Sequence, residues 1–98
     1  MLTKSYSKTG QTCRVTFRLP AEVEAETAAL CGEFNDWDPA ATPMKQLKNG
    51  SFSATVSLAP GQTYRYRFLL DNERWENDWE AEAYAPNDQG SEDSLVTV

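Results

Sequence analysis

Two tryptophans, Trp37 and Trp75, are the residues whose type and position most clearly suggest binding chemistry in this chain. Trp37 lies in the run Gly32-Glu33-Phe34-Asn35-Asp36-Trp37-Asp38, which is typical of a strand that breaks into a loop, and Trp75 closely follows the strand-like pair Leu69-Leu70. A tryptophan near a strand end can present a large flat ring to solvent, with a polar N–H at its edge. Two such rings can stack on the apolar faces of sugar rings. Burial in the core is the alternative, because tryptophan is highly buried on average.

Two arginines form a second candidate group. In Tyr64-Arg65-Tyr66-Arg67-Phe68 the aromatic residues share one face of a predicted strand and the arginines share the other. A guanidinium carries five donors in a planar fork and can bridge paired sugar hydroxyls. The alternative is a pair of solvated cations, whose ion pairs with surface acids are each worth less than about 1 kcal/mol. Arg67 is the stronger binding candidate of the two.

Several carboxylates are of the residue type that catalysis by a glycosidase requires. A glycosidase needs two acids roughly 5–9 Å apart, one of them with a raised pKa. Asp36 and Asp38, or Glu76, Asp78 and Glu80, qualify by residue type only. We therefore expect no catalytic residue, and an enzyme is the weakest of three interpretations. Trp79, between the last two acids, is assigned a structural role.

Metal and cofactor chemistry finds little support. The chain has no histidine, and Cys13 and Cys31 lack CxxC spacing. A structural zinc site needs about four ligands. The acidic stretches 76–82 and 88–93 do not match an EF-hand. We expect no metal and no cofactor, and two free, half-buried thiols rather than a disulfide.

Size and charge limit the class of protein. The chain has 98 residues, which is one domain and too short for the roughly 250 residues of a (β/α)8 barrel. Its 9 basic and 15 acidic residues give a net charge of −6. This charge argues against nucleic acid and anionic membranes as partners, because both require a basic surface. With no apolar run long enough for a span or signal peptide, we expect a cytoplasmic location.

Alternation with a period of two dominates the chain and predicts β-strands. It is clearest in the segments Cys13–Leu19, Thr27–Phe34, Phe52–Leu58, Tyr64–Phe68 and Ser94–Val98. Asn49-Gly50 predicts a hairpin from the segment Met44–Lys48 into the Phe52 strand, and Pro60-Gly61 predicts a second one into the Tyr64 strand.

These elements predict an all-β fold. Only the segment Pro20–Glu26 suggests helix, and only one turn of it. We expect an immunoglobulin-like antiparallel β-sandwich of about six to eight short strands. Residues 1–10 are predicted to be a flexible N-terminal tail, and residues 11–98 the single sandwich domain.

Several motifs resemble the family 48 carbohydrate-binding modules. That family includes the glycogen-binding domain of the AMP-activated kinase β subunit and the N-terminal early set domains of isoamylase and branching enzymes. The resemblance runs from about Gln11 to Val98 and depends on the order of these motifs: Gly32–Trp37, Met44–Leu47, Asn49–Phe52, Leu58–Gly61, Tyr64–Asp71 and Asp93–Val96.

The resemblance implies a non-catalytic sandwich that binds α-1,4-linked glucan. By position, Trp37 and Trp75 resemble the two stacking tryptophans, and Arg67 resembles the basic residue that bonds sugar hydroxyls. The implied carbohydrate-binding set is completed by Asn35, Gln89 and Asp93. Gln89 stands where kinase-type members insert a leucine into the glucan helix, and Asp93 stands where the family has a sugar-bonding asparagine. An aspartate accepts hydrogen bonds but no longer donates them, and adds a desolvation cost.

Our first functional interpretation is an α-glucan-binding module for glycogen, starch or maltooligosaccharide. The alternative is a structural or protein-interaction module, associated with a glycogen-metabolising enzyme or a kinase, whose glucan binding has been lost. An exposed edge strand or the tryptophan surface would then supply the interface.

Overall fold

The computed structural model describes residues 2–98, so that Met1 lies outside the described residues. Within that range the chain forms nine β-strands and two single-turn 3₁₀ helices, at Ala21–Val23 and Glu33–Asn35. The strands are β1 Leu2–Tyr6, β2 Cys13–Leu19, β3 Ala28–Gly32, β4 Lys45–Gln46, β5 Phe52–Leu58, β6 Thr63–Leu70, β7 Arg74–Glu76, β8 Ala83–Pro86 and β9 Glu92–Thr97. The single helical turn expected near Pro20 is present.

Two antiparallel sheets form a β-sandwich, and the predicted all-β class is confirmed. The first sheet has the strand order β1-β2-β5-β4. The second sheet has the order β3-β6-β9-β8, with β7 pairing with β6 as well. The predicted strands Cys13–Leu19 and Phe52–Leu58 have those bounds in the structure, and they pair with each other from Cys13↔Leu58 to Leu19↔Phe52.

The core lies between the two sheets and is built by the alternating strands. In β2 the buried positions are the odd ones, and in β6 the buried aromatics are the even ones, Tyr66 and Phe68. The Phe17 and Tyr66 rings meet edge to face with their centroids 4.8 Å apart. Such aromatic pairs add about 0.5–1.5 kcal/mol beyond the area they bury. Strand β6, which carries both predicted arginines, is therefore anchored by its opposite face.

The predicted hairpin at Asn49-Gly50 is confirmed, whereas the one at Pro60-Gly61 is wrong. Gly50 has a φ of 89°, and β4 pairs with the start of β5. The Pro60-Gly61 turn instead carries the chain from the first sheet to the second. The β5 strand pairs with β2 along one edge and with β4 only at Phe52 and Ser53 on the other, whereas β6 pairs with β3 and β9 of the second sheet.

The N-terminal segment departs from the expected tail. Residues 2–6 form β1, which pairs with β2 from Leu2↔Phe17 to Tyr6↔Cys13, so the first sheet begins at Leu2 rather than at Gln11. The Lys4 ammonium donates to the Thr97 carbonyl at 2.6 Å and pairs with Glu82 at 2.5 Å. These contacts attach β1 to the second sheet. The sequence did not reveal them because Leu2–Tyr6 lacks a clear apolar alternation.

One buried polar pair closes the core beside β9. The Tyr66 hydroxyl donates to Asp78 Oδ2 at 2.8 Å, and both side chains are buried. Burial, and then the adjacent Asp78 carboxylate, raise the pKa of Tyr66, so the phenol keeps its proton and remains a donor.

Replacing Tyr66 by Phe should lower the free energy of unfolding by about 1–3 kcal/mol, because a buried carboxylate loses a donor. Urea denaturation measures this change. Tyr64→Phe is the matched control: its hydroxyl donates to the Ala59 carbonyl at an exposed site, 3.1 Å away. The control should cost less than about 1 kcal/mol. Equal losses in the two variants would contradict a special role for the buried pair.

Candidate functional site

The loop that carries Trp37 begins where β3 ends. The predicted strand Thr27–Phe34 is too long, because β3 ends at Gly32 and the chain enters the 3₁₀ turn Glu33–Asn35. A Cβ on Gly32 would lie 2.6 Å from the Arg65 carbonyl oxygen and 2.8 Å from the Phe34 ring. Real Cβ atoms do not approach backbone so closely. Gly32 therefore allows the Phe34 ring to fold back toward the core while the chain turns outward.

Asn35 holds this turn through its side-chain amide. Its Oδ1 accepts from the Gly32 N–H at 3.0 Å, and its Nδ2 donates to the Leu30 carbonyl at 2.9 Å and to Thr42 Oγ1 at 3.0 Å. The amide is therefore engaged within the protein. Its direct effect is on the path of the chain that leads to Trp37.

Trp37 itself has a strained backbone. Asp36 and Trp37 have φ values of 56° and 58°, in the left-handed region that bulky residues rarely occupy. Such conformations cost about 1–3 kcal/mol each and persist only where the surroundings enforce them. Here the Trp37 N–H donates to the Gly32 carbonyl at 2.9 Å. The strained turn places the half-buried indole over the second sheet.

The face of the second sheet turned away from the core, which we call the outer face, supports this ring. Trp37 packs there against a small apolar cluster of Ala29, Cys31 and Leu69. Burial, and then the nearby Asp38 carboxylate, raise the pKa of the Cys31 thiol, so it stays protonated. Cys13 lies in the core between the sheets. Both cysteines are free, as expected, but they are fully buried rather than half-buried.

Trp75 reaches the same face by a hairpin. It lies on β7, opposite Leu69 of β6, and is 43% exposed. Asp71 and Asn72 join the two strands with φ values of 53° and 59°, and the Glu73 N–H donates to the Leu70 carbonyl. Two successive positive φ values are characteristic of the type I′ turn, whose twist matches that of a hairpin.

Asp71 also attaches this hairpin to the segment that enters β3. Its Oδ1 accepts from the Glu26 and Thr27 N–H groups at 2.8 and 3.0 Å. These bonds, that of Thr27 first, lower the pKa of Asp71. The carboxylate thus couples the position of Trp75 to that of β3.

Arg67 lies between the two tryptophans. It is opposite Cys31 in the β3–β6 register, and its guanidinium carbon is 5.9 Å from the centroid of the Trp75 ring. This is within cation–π distance. Among residues 2–98 it has no ion pair, and its buried Nε has no hydrogen-bond partner. Arg67 is therefore held by the Trp75 ring, with its donors not used by other side chains.

The opposite wall consists of the loop between β8 and β9. Asp93 is buried and forms an ion pair with Arg65 at 3.1 Å, while Asn87 Nδ2 donates to its other oxygen. Asn87 Oδ1 accepts from the Gln89 and Ser91 N–H groups at 3.0 and 3.1 Å. Asn87 was missed by the sequence analysis, although Asn-Asp-Gln-Gly is a recognisable turn sequence.

These groups enclose one open cleft of 370 Å³, which we call the aromatic cleft. Its lining consists of Trp37, Arg67, Trp75, Asn87, Asp88, Gln89 and Asp93. The structure thus brings together the predicted tryptophans and Arg67 with Gln89 and Asp93. It does not bring Asn35 into the cleft, where that residue acts through the Trp37 loop instead.

Other sequence candidates lie outside the aromatic cleft. Trp79 is not in the core, being 51% exposed, with its indole N–H donating to Glu76 at 3.3 Å. The neighbouring Asp78 is the buried residue of that segment, because it bonds Tyr66. Within residues 2–98 no three side chains of metal-ligating type form a group that could hold an ion. No helix in this range is long and apolar enough to cross a bilayer.

Asn35→Ala should displace Trp37 and lower the free energy of unfolding by about 1–3 kcal/mol, because several partly buried bonds are lost. The Trp37 indole signal in a ¹H–¹⁵N NMR spectrum reports the displacement. Asn49→Ala, which removes a similar turn cap on Ser51 at the β4–β5 hairpin, should leave that signal in place. An unmoved signal in Asn35→Ala would contradict the positioning role.

Asp71 predicts a specific pH dependence of stability. Since its folded pKa is lowered, its contribution is present above the ordinary value of 3.8 and is lost as the pH falls through the folded pKa. Asp71→Asn should therefore be less stable than the original chain at neutral pH, and the difference should shrink towards about pH 2. Urea denaturation at both pH values tests this, and a difference independent of pH would refute it.

Comparison with known proteins agrees with this geometry. A search of curated proteins found no match. A family model described as carbohydrate-binding module 48 (isoamylase N-terminal domain) matches residues 5–86. The matched range includes both cleft tryptophans and Arg67, and it ends before Gln89 and Asp93. Because the match spans most of the chain, this protein belongs to carbohydrate-binding module family 48.

Proposed function

We propose that this chain binds α-1,4-linked glucan in the aromatic cleft and has no catalytic role. The observation that carries the proposal is the placement of Trp37, Trp75 and Arg67 around one open cleft on the outer face. Family membership supports carbohydrate as the class of ligand. The choice of an α-linked polymer such as glycogen or starch rests on the resemblance to glucan-binding members.

The two indoles supply the apolar contact. Trp75 is 43% exposed, and Trp37 is half-buried on a supported, strained loop. Each ring can cover the apolar face of a pyranose, and an ordered ring loses little conformational entropy on binding. The neighbouring donors and acceptors then select the sugar by its hydroxyls.

Arg67 supplies donors between the rings. It has no acidic partner among residues 2–98, in contrast to Arg65, which pairs with Asp93. Binding a sugar hydroxyl therefore does not require Arg67 to break an ion pair. Gln89 adds an exposed amide, and Asp93 adds an acceptor at the base of the cleft.

The contacts of Asp93 support retention of glucan rather than hydrolysis. Both of its carboxylate oxygens are already bonded, one to Arg65 and the other to Asn87. The carboxylate therefore holds the β8–β9 loop, and its remaining lone pairs can still accept from a sugar hydroxyl. An open cleft with few charged contacts predicts a Kd of roughly 10 μM to 1 mM.

The tryptophans provide the direct test. Trp37→Ala or Trp75→Ala should weaken maltoheptaose binding by about tenfold or more, which is about 1.4 kcal/mol, because a stacking surface is lost. Trp79→Ala is the matched control, since Trp79 is similarly exposed but outside the cleft. NMR titration of the ¹⁵N-labelled domain measures both affinity and site.

Cellohexaose is the ligand control in that titration. It presents the same sugar with β linkage and should give no saturable shift at the Trp37 and Trp75 indoles. Binding that survives both cleft substitutions, or that is lost with Trp79→Ala, would refute the assigned site. The absence of any shift with millimolar maltoheptaose would refute the glucan proposal.

A second candidate function is docking to a glycogen-metabolising enzyme or a kinase. It is favoured by the aromatic residues Tyr6, Trp79 and Tyr84, which are 53%, 51% and 43% exposed and do not line the aromatic cleft. Loss of partner capture in a Tyr6→Ser, Trp79→Ser variant that still binds maltoheptaose would identify this role. Capture that is unchanged would exclude Tyr6 and Trp79 as docking residues.

A further inference from the structure

The aromatic cleft continues into a second cleft, also of 370 Å³, which we call the polar cleft. The two share the side chains of Trp37, Asn87, Asp88 and Asp93. The polar cleft adds Glu33, Arg65 and Pro86. We propose that it is a further subsite, which binds an additional neutral sugar unit of the same chain by hydrogen bonds; this inference rests on the proposed glucan function.

The two clefts lie along β6. Leu69 is opposite Trp75, while Arg67 and Arg65 follow at successive positions on the same face of the strand. Alternate residues of a strand are about 6.6 Å apart. A linear ligand that lies on Trp75 and over Arg67 therefore meets Arg65 next if it continues along the strand.

The walls of the two clefts are continuous. On one side Trp37 and Glu33 both belong to the segment that follows β3, and Trp37 lines both clefts. On the other side Pro86 and Asn87 belong to the end of β8 and the loop beyond it. Trp37 therefore marks the boundary between the aromatic cleft, which offers stacking contacts, and the polar cleft, which offers hydrogen bonds.

The polar cleft has the groups to bind a polyol. The Arg65 side chain uses Nη1 for Asp93 and the Pro86 carbonyl, each at 3.1 Å, and its other guanidinium donors form no bond with residues 2–98. Glu33 Oε1 accepts from the backbone N–H of Arg65 at 2.7 Å, while Glu33 Oε2 has no hydrogen bond to residues 2–98. A sugar hydroxyl both donates and accepts hydrogen bonds, so a cleft that offers donors and acceptors side by side can bind it.

The charges of the polar cleft select against anionic sugars. Its lining has three carboxylates, on Glu33, Asp88 and Asp93, against the single guanidinium of Arg65. A phosphate or uronate would meet this excess of negative charge, and repulsion between like charges disfavours it. A neutral glucosyl unit has no such cost. The expected ligand is therefore an unsubstituted oligosaccharide long enough to pass Trp37.

The experiment is a chain-length titration of the whole domain with maltotriose and maltoheptaose. The original chain should bind maltoheptaose at least about twentyfold more tightly: the five trisaccharide registers of a heptasaccharide give about fivefold, and one or two additional hydrogen bonds give about a further fivefold. Pro86→Trp fills the polar cleft, and Glu33→Ala removes one of its acceptors. Both should bring the ratio of the two affinities down to about five, the statistical value for a site of trisaccharide length, while the affinity for maltotriose is unchanged.

Glu22→Ala is the matched control, because Glu22 is an exposed acid of the other 3₁₀ turn and lines neither cleft. It should keep the original ratio. Unchanged maltotriose affinity shows that each variant is folded. If maltotriose and maltoheptaose bind the original chain and both variants keep its ratio, the polar subsite is refuted and the glucan site remains. If neither sugar binds the original chain, both proposals are refuted.

Discussion

Strand β6 connects the core and the candidate site, because its side chains alternate between them. Tyr66 and Phe68 pack inside the sandwich, while Arg65, Arg67 and Leu69 lie on the outer face. A slip of the register by one residue would exchange these faces and bury a guanidinium without a partner, at a large cost. The same aromatic packing that stabilises the fold therefore determines which residues can form the cleft.

The second requirement is a rigid position for Trp37. The left-handed backbone at Asp36 and Trp37 is unfavourable in isolation, so the surrounding contacts must stabilise it. Asn35 supplies three hydrogen bonds to the turn, and the cluster on the outer face supports the indole from below. A ring ordered before a ligand arrives reduces the entropy lost on binding. Strain at this loop is thus consistent with a binding role.

Local physics made much of the fold predictable. A period of two in Cys13–Leu19 and Phe52–Leu58 is enough to predict buried and exposed faces, because successive side chains of a strand point to opposite sides. Turn chemistry at Asn49-Gly50 predicted a hairpin for the same local reason. The candidate residues Trp37, Trp75 and Arg67 were also identified from residue type and position beside these strands. Their common cleft was expected from family resemblance.

Tertiary structure decided what depends on contacts between distant segments. Pro60-Gly61 reverses the chain, but the pairing of β6 with β3 and β9 places the next strand in the other sheet. Asn35 carries an amide that could bond a sugar. In the folded loop, however, this amide donates to the Leu30 carbonyl and to Thr42 Oγ1. Local sequence alone determined the strands and the aromatic and cationic side chains available for binding. The arrangement of those side chains was decided only by strand pairing across the sheet, since hydrogen bonds between segments far apart in sequence are not encoded in any local pattern.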